Sequence, residues 1–383
     1  MMDKREIVSL ARCAEYSEKE VFRAVSEAIS ALGGMQSFIK RGDKVLLKPN
    51  LLSAKTPDQA VTTHPLVVQA VGKLAKDCGG ILTIGDSPAL GNWKKIISLT
   101  GMEETAKYLG ADLVRFSESV WVEREERHRF KKMEIAREAV ESDVVINLPK
   151  LKTHVQMFLT LGVKNIFGCL VGKRKPAWHM EAGKDNMGFA RRIVELYEAV
   201  GPKLTLVDGI VGMEGEGPGS GDPRRMGLIA AGRDAVAVDR VILEIVGGKV
   251  KQFYTLAAAE ELGIGEPRLD SIQIAGGELE KLKLRDFKFP TMQGVEFGPP
   301  FLRPYIKDFV TTRPYEDHSK CTLCGHCIEA CPPKIISKTK DKRLHFEYEE
   351  CIRCYCCMEV CPEGAMKMKQ GLILRALQWT GLM

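Results

Sequence analysis

The spacing of cysteines near the C-terminus constrains this chain more than any other feature. Nine of its twelve cysteines fall between Cys321 and Cys361, within 41 residues; only Cys13, Cys78 and Cys169 lie outside. Cys321, Cys324, Cys327 and Cys331-Pro332 follow C-x2-C-x2-C-x3-C-P, and Cys351, Cys354, Cys357 and Cys361-Pro362 repeat the pattern with a period of 30 residues. Three thiolates on a tight loop cap three irons of one [4Fe–4S] cube, while the fourth, carried onward by the chain, ligates the other cube. The expected sets are therefore Cys321, Cys324, Cys327 and Cys361 for cluster 1, and Cys351, Cys354, Cys357 and Cys331 for cluster 2. A zinc site would use pairs of C-x2-C rather than triplets. A disulfide scaffold would be short, secreted and evenly stitched, so the cluster reads as metal binding in a reducing compartment.

Cys356 is the leftover thiol of this segment. It reads as a small buried hydrophobe beside a cluster, with ligand exchange as the second reading. His326 and Arg353 sit inside the ligand loops, where charge or hydrogen bonding tunes a potential. The C-x3-C-x2-C spacing of radical S-adenosylmethionine enzymes does not occur. Over some 50 residues the segment resembles bacterial two-cluster ferredoxins. That resemblance implies low-potential, one-electron transfer with a donor or acceptor protein, and leaves the destination of the electrons open.

The rest of the 383-residue chain is long enough for a separate core. Short apolar runs alternate with helical patterns: KVLLKPN (44–50), ILTIGDS (81–87), ADLVRF (111–116), DVVINLPK (143–150), KLTLVDG (203–209) and GLIAAG (227–232) read as strands. Ser17 with Glu20 forms a capping box ahead of Val21, Ala24, Val25, Ala28 and Ile29 at helical spacing, and Pro65 opens another helix. The expected fold is α/β: a mostly parallel, doubly wound sheet over 1–280, a proline-containing linker over 281–318, a small α+β two-cluster ferredoxin-like domain over 319–370, and a tail over 371–383. The charge-alternating stretch 122–136 reads as an antiparallel edge hairpin with His128 on a solvated face. Net charge is +6 with both signs interspersed, which is no nucleic-acid footprint. No apolar run reaches membrane-spanning length and no secretory h-region is present at the N-terminus, so a cytoplasmic setting is expected, and the oxygen lability of exposed cubane clusters makes it an anaerobic or microaerobic one. Oligomeric state is not legible.

Ligands in open parallel sheets bind beyond the carboxyl ends of the strands. Lys48-Pro49-Asn50, Asp86-Ser87, Lys150-x-Lys152-Thr153-His154 and Asp208-Gly209 all fall there, joined by Thr62-Thr63-His64 at a helix start and by the glycine-rich 212–221 segment with Glu214. Lys150, Lys152, His154, Lys164 and Asn165 lie within 16 residues among apolar neighbours. Unpaired lysines are costly to bury, so either an anionic ligand or core carboxylates such as Asp208 and Glu214 must face them. The catalytic candidates are His154, Lys152, Lys164 and His179, with His154 or a lysine of lowered pKa as proton donor. The substrate-binding candidates are Lys48, Asn50, His64, Asp86, Asn165, Asp208 and Glu214. The glycines of 212–221 offer backbone N–H groups to an anion. Neither G-x-G-x-x-G nor a P-loop occurs, and no pattern argues for flavin, although flavin would bridge one- and two-electron chemistry.

KPN, TTHP, GDSP, INLPKLKTH, LGVKNIFG, DGIVGMEGEGPGSG and the AVAVD of 235–239 resemble the family catalogued as domain of unknown function 362, over nearly the whole chain. The resemblance implies that the candidate residues occupy family motif positions and that a core of this kind binds or converts something by itself. The expected function is an oxidoreductase passing electrons through the clusters to an anionic small molecule. The alternatives are an electron carrier whose core docks a partner enzyme, and a non-redox core with structural or sensory clusters.

Overall fold

A computed structural model describes residues 5–88, 90–291 and 312–371. The core strands are β1 (Glu6–Arg12), β2 (Lys44–Pro49), β3 (Ile81–Asp86), β4 (Asp112–Arg115), β5 (Ser119–Glu123), β6 (Lys132–Ala136), β7 (Val144–Leu148), β8 (Lys150–His154), β9 (Phe158–Thr160), β10 (Leu204–Glu214), β11 (Asp222–Gly232) and β12 (Ile272–Gly276). The main sheet runs β12-β1-β11-β10-β7-β2-β3-β4, with β8 paired to β10 and β9. Six of its pairings are parallel and three antiparallel, so the mostly parallel α/β fold holds. Two of the antiparallel pairings belong to β11, an 11-residue strand that contains GLIAAG, folds back on β10 and pairs β1 on its other side; the third joins β8 to β9. The charged hairpin β5–β6 forms, but as its own two-stranded sheet.

Successive side chains of a strand face opposite sides, and here that alternation divides the apolar residues into two cores. Leu46, Val145, Val207, Leu228 and Ala230 belong to one core, packed with the helices Asn186–Val200 and Ala235–Val246. Val45, Leu47, Val144, Ile146, Leu206, Ile229 and Ala231 belong to the other, under the helices Glu18–Ser30 and Pro65–Asp77. The central strand β7, VVINL, is buried throughout, as a strand covered on both faces must be. Ser17 accepts a hydrogen bond from Glu20 N at 3.3 Å, so the expected cap starts the first helix. Among the described residues, no helix is long and apolar enough to cross a membrane.

The cysteine-rich module holds β13 (Thr312–Glu316) antiparallel to β16 (Met366–Gln370), the hairpin β14 (Ile336–Lys338)–β15 (Leu344–Phe346), and the short helices His326–Ala330 and Cys356–Glu359. Strand β13 lies inside the stretch expected to be linker, because pairing with β16 ties it to the module. Earlier in that stretch, Phe289 stacks on Phe158 at 4.7 Å and Thr291 N donates to Glu216 at 3.0 Å, so its first residues lie on the core. Residues 292–311 of the linker and 372–383 of the tail lie outside the described residues.

The module sits on the core at the carboxyl ends of the strands. Val155, just past β8, joins the module's apolar cluster of Ile335, Tyr355 and Met358. The β10–β11 turn supplies the rest of the seat. A side chain at Gly219 would begin 3.0 Å from the Glu359 carbonyl oxygen, and one at Gly217 would strike the Thr153 carbonyl. The Lys55 ammonium donates to the Pro362 carbonyl.

Candidate functional site

A cavity of about 630 Å³ lies between the strand ends and the module. That volume suits a small-molecule ligand. Its core walls include Asn50, Asp86, Lys152, His154, Lys164, Asn165, Lys175 and His179, and its module wall includes Cys331, Cys356 and Glu359. Eight residues from five segments of the core thus meet two cysteine motifs around one space.

The lysines in and just beneath this wall are handled differently. Lys48 Nζ donates to Asp86 Oδ1 at 2.9 Å and to the Pro49 carbonyl at 3.1 Å, and both side chains are buried. Asp86 also accepts from Leu51 N and Ser87 N, so this pair closes on itself. Gly168 lets the chain cross it: a Cβ there would lie 2.5 Å from Lys48 Nζ and strike Asp86 Oδ1. Lys152 Nζ donates to Asn50 Oδ1 at 2.8 Å and to the Val61 carbonyl at 2.7 Å. Asn50 in turn donates to Asn165, and Asn165 to Asn147, which fixes the orientation of all three amides. Burial holds the Lys152 ammonium down to about 7, close to neutrality. Lys175 donates to the Ser87 carbonyl, and burial lowers it to about 8.

Lys164 is the exception. Among the described residues its ammonium has neither a hydrogen bond nor an ion pair; it lies 4.2 Å over the Phe167 ring and 5.7 Å from Phe189. It is 8% exposed, and burial lowers its pKa. A charge so placed is held by aromatic faces and by the through-space attraction of the Glu359 carboxylate, and it opens onto the cavity. His154 Nδ1 accepts from Gln156 N at 3.1 Å, while Nε2 lies 3.0 Å from Glu359 Oε1. Since Nδ1 accepts, the ring proton sits on Nε2, facing the module's carboxylate. His179 packs between Phe167 and Phe189, and its Nδ1 is buried without a hydrogen-bond partner.

Four candidates do not border the cavity: Lys48, closed on Asp86 beneath the wall, and Asp208, His64 and Glu214, which lie elsewhere. Asp208 is fully buried, accepting from Lys150 Nζ at 2.9 Å, Tyr16 OH at 2.7 Å and His64 N at 2.9 Å. The His64 ring stacks on Tyr16 at 3.6 Å and caps its helix by accepting from Leu66 N. This closed cluster does not border the cavity, and Lys150 is therefore spent on Asp208. Glu214 ends β10 and accepts from Lys288 N at 3.1 Å, also away from the cavity. In the 212–221 segment, β10 continues through Glu214, the turn beyond it meets Thr153 and the module's Glu359, and Pro218 reaches the cavity wall. His128 is likewise not solvated: its side chain is 8% exposed and lies 3.3 Å from Glu198, beside Arg124.

The cysteines converge as their spacing requires. Cys321, Cys324, Cys327 and Cys361 border one small enclosed space. Cys331 lies in the electrostatic reach of Cys354 and Cys351, and Cys357 in that of all three. Sulfur donors in two such sets fit iron–sulfur clusters. The first set faces outward, with Cys324 exposed, whereas the four of the second set are buried, and Cys331 reaches the cavity wall. Lys175, Glu359 and Tyr16 were missed in the sequence. The KRKP run beside the His179 motif and the acid in CCME were available signals for the first two; nothing local marks Tyr16.

The model of the family "Domain of unknown function (DUF362)" matches residues 45–244, and that of a 4Fe-4S dicluster domain matches 313–362. The chain is 39% identical over 304 residues to "Thylakoid-associated protein sll1697" of Synechocystis sp., covering 79% of this chain and 94% of that protein. It is also similar in structure to the lactate racemase apoprotein of Thermoanaerobacterium thermosaccharolyticum, with a TM-score of 0.38 and 15% identity over 61% of this chain and 55% of that one. A core matched from β2 to the helix after β11, followed by an iron–sulfur dicluster domain, makes this chain a member of the DUF362 family.

Proposed function

We propose that the chain is an oxidoreductase that reduces an anionic small molecule held in the cavity. The observation that carries this reading is the pairing of one unpartnered buried ammonium, Lys164, with a cluster ligand, Cys331, on walls of the same space. When bound at the two cysteine sets, [4Fe–4S] clusters supply electrons one at a time. Lys164 binds the anionic group, which replaces the water that a buried ammonium otherwise needs. Asn50 and Asn165 fix Lys152 in place, and Lys152, with its pKa near 7, hands a proton to the substrate as it gains charge. Solvent returns that proton. Glu359 and His154 hold the module against the core, so that the buried cysteine set stays at the cavity.

The donor is a low-potential acidic carrier protein. Exposed Lys338, Lys340, Lys342 and Arg343 on the β14–β15 hairpin have no ion-pair partner among the described residues, and Lys338 Nζ lies against Gly325 in the exposed cysteine loop. Such a patch steers an acidic partner to that side. The clustered thiols fit a reducing cytoplasm.

The test is anaerobic. The reduced protein is mixed with fractions of small anionic metabolites while cluster absorbance is followed, with Lys164→Met alongside. Reoxidation by a fraction in the unaltered protein, slowed at least tenfold in the variant, is the expected result. Reoxidation equal in both would sink the role of Lys164. Reoxidation only by a protein fraction would favour an electron carrier.

A further inference from the structure

The module wall of the cavity carries a thiol that neither cysteine set uses. Cys356 precedes the ligand Cys357, and its position in the repeat corresponds to His326 in the first motif. There, His326 Nδ1 lies 3.6 Å from Cys324 Sγ, so a residue at this place touches the second cysteine of its loop as a matter of course. Cys356 Sγ likewise lies close to Cys354 Sγ, within 4.8 Å. The second loop differs in what comes from the core. The helix Arg174–Ala182 brings His179 to the same point, and one imidazole nitrogen, Cys354 Sγ and Cys356 Sγ all lie within 4.8 Å of one another.

Two further observations point to a ligand. His179 is 4% exposed and its Nδ1 has no hydrogen-bond partner, a costly arrangement for a ring wedged between Phe167 and Phe189. Both His179 and Cys356 border the cavity, so a fourth position would open onto free space rather than protein.

We infer that His179, Cys356 and Cys354 form a binding site for a single divalent metal ion, with the Cys354 sulfur shared between that ion and the neighbouring cluster. Two sulfurs and one imidazole suit a borderline ion such as Zn²⁺, Fe²⁺ or Ni²⁺ and disfavour Mg²⁺ or Ca²⁺. Three protein ligands with one open position is the arrangement of a catalytic rather than a structural site. The open position faces the cavity, where it takes an anionic oxygen ligand. The site stands apart from the reduction proposed above: an ion binds there whether or not a substrate is reduced.

The experiment uses the full chain with its clusters in place, under anaerobic conditions, and Zn²⁺ alone as the probe. Chelator competition is expected to give one bound Zn²⁺ per chain. His179→Ala and Cys356→Ser are expected to weaken binding at least 100-fold, with iron and acid-labile sulfide unchanged. His179 lies on a core helix outside the cysteine loops, so that variant serves even if Cys356→Ser loses iron. Zinc-edge X-ray absorption of the unaltered protein supplies a second readout, with sulfur at about 2.3 Å and nitrogen at about 2.0–2.1 Å expected. Equal affinity in the unaltered protein and the His179→Ala variant, or a shell of oxygen alone, overturns the site. Substrate-dependent cluster reoxidation is measured separately, so loss of one reading leaves the other standing.

Discussion

Lys150 and Lys164 are both buried lysines on neighbouring elements, yet their replacement by Met is expected to have opposite consequences. Lys150 and Asp208 are fully buried and 2.9 Å apart. Removing one partner of such a pair leaves the other charge uncompensated, at a cost of about 3–5 kcal/mol. Tyr16 OH and His64 N still donate to Asp208, so Lys150→Met belongs at the lower end, about 3 kcal/mol. Lys164 has no hydrogen bond to lose: replacing it forfeits the faces of Phe167 and Phe189, a cation–π contribution of about 0.5–2 kcal/mol, and the through-space attraction of Glu359, while relieving the burial of a charge. The two effects offset, so Lys164→Met should shift stability by no more than about 1 kcal/mol. A hydrogen bond from an ammonium to a bound anion is worth about 1.5–3 kcal/mol, so the same variant should bind the anion about 10- to 150-fold more weakly. Urea titrations followed by tryptophan emission measure the first quantity, and substrate-dependent cluster reoxidation the second. If Lys164→Met unfolds as early as Lys150→Met, Lys164 has a structural partner and the anion-binding argument fails.

Acid should act on the closed cluster around Asp208. Burial lowers the His64 pKa to about 4 against an ordinary 6.5, with Asp208 opposing and Lys150 adding to the shift, while Tyr16 covers the ring. Because the folded value is depressed, the unfolded chain binds the extra proton first: stability is full above pH 6.5 and falls as pH drops toward 4, by at most about 3 kcal/mol. Urea midpoints across that range should flatten in His64→Asn; an unchanged slope removes His64 as the cause. At the other end of the molecule, reversing Lys338, Lys340 and Lys342 to Glu should slow stopped-flow reduction by an acidic ferredoxin at least tenfold and abolish its salt dependence, with dithionite reduction unaffected. A rate indifferent to both salt and charge reversal would place the entry of electrons elsewhere.

The cysteine sets were legible because ligation to one cube is a local matter: residues three apart on a tight loop converge whatever the rest of the fold does. The strands were legible for a similar reason, since apolar runs between glycines report their own burial. What the sequence concealed was how charges pair. Lys150 and Lys152 stand two apart on one strand and should face alike, yet one meets Asp208 and the other Asn50. The cause is a break in register, with Lys150 beside Asp208 but Lys152 beside Met213 of β10. No spacing rule announces such a shift. Tyr16, which completes the Asp208 cluster, arrives from 192 residues away. The glycines of 212–221 read as an anion cradle, and the close approach of Gly219 to Glu359 of a neighbouring helix was not legible beside it, because exposed N–H groups and close packing require the same absence of side chains.

The seating of the module on the β10–β11 turn has a consequence for how the lysines are shielded. One wall of the cavity is core and the other is module, so the low local dielectric around Lys152, Lys164 and Lys175 is a shared property of the two halves. A core of the same kind standing alone would leave these ammonium groups facing bulk solvent. Water and mobile ions would then screen them, and a bound anion would feel a fraction of their attraction. The iron-bearing half is thus also the lid that makes the positive charge beneath it count.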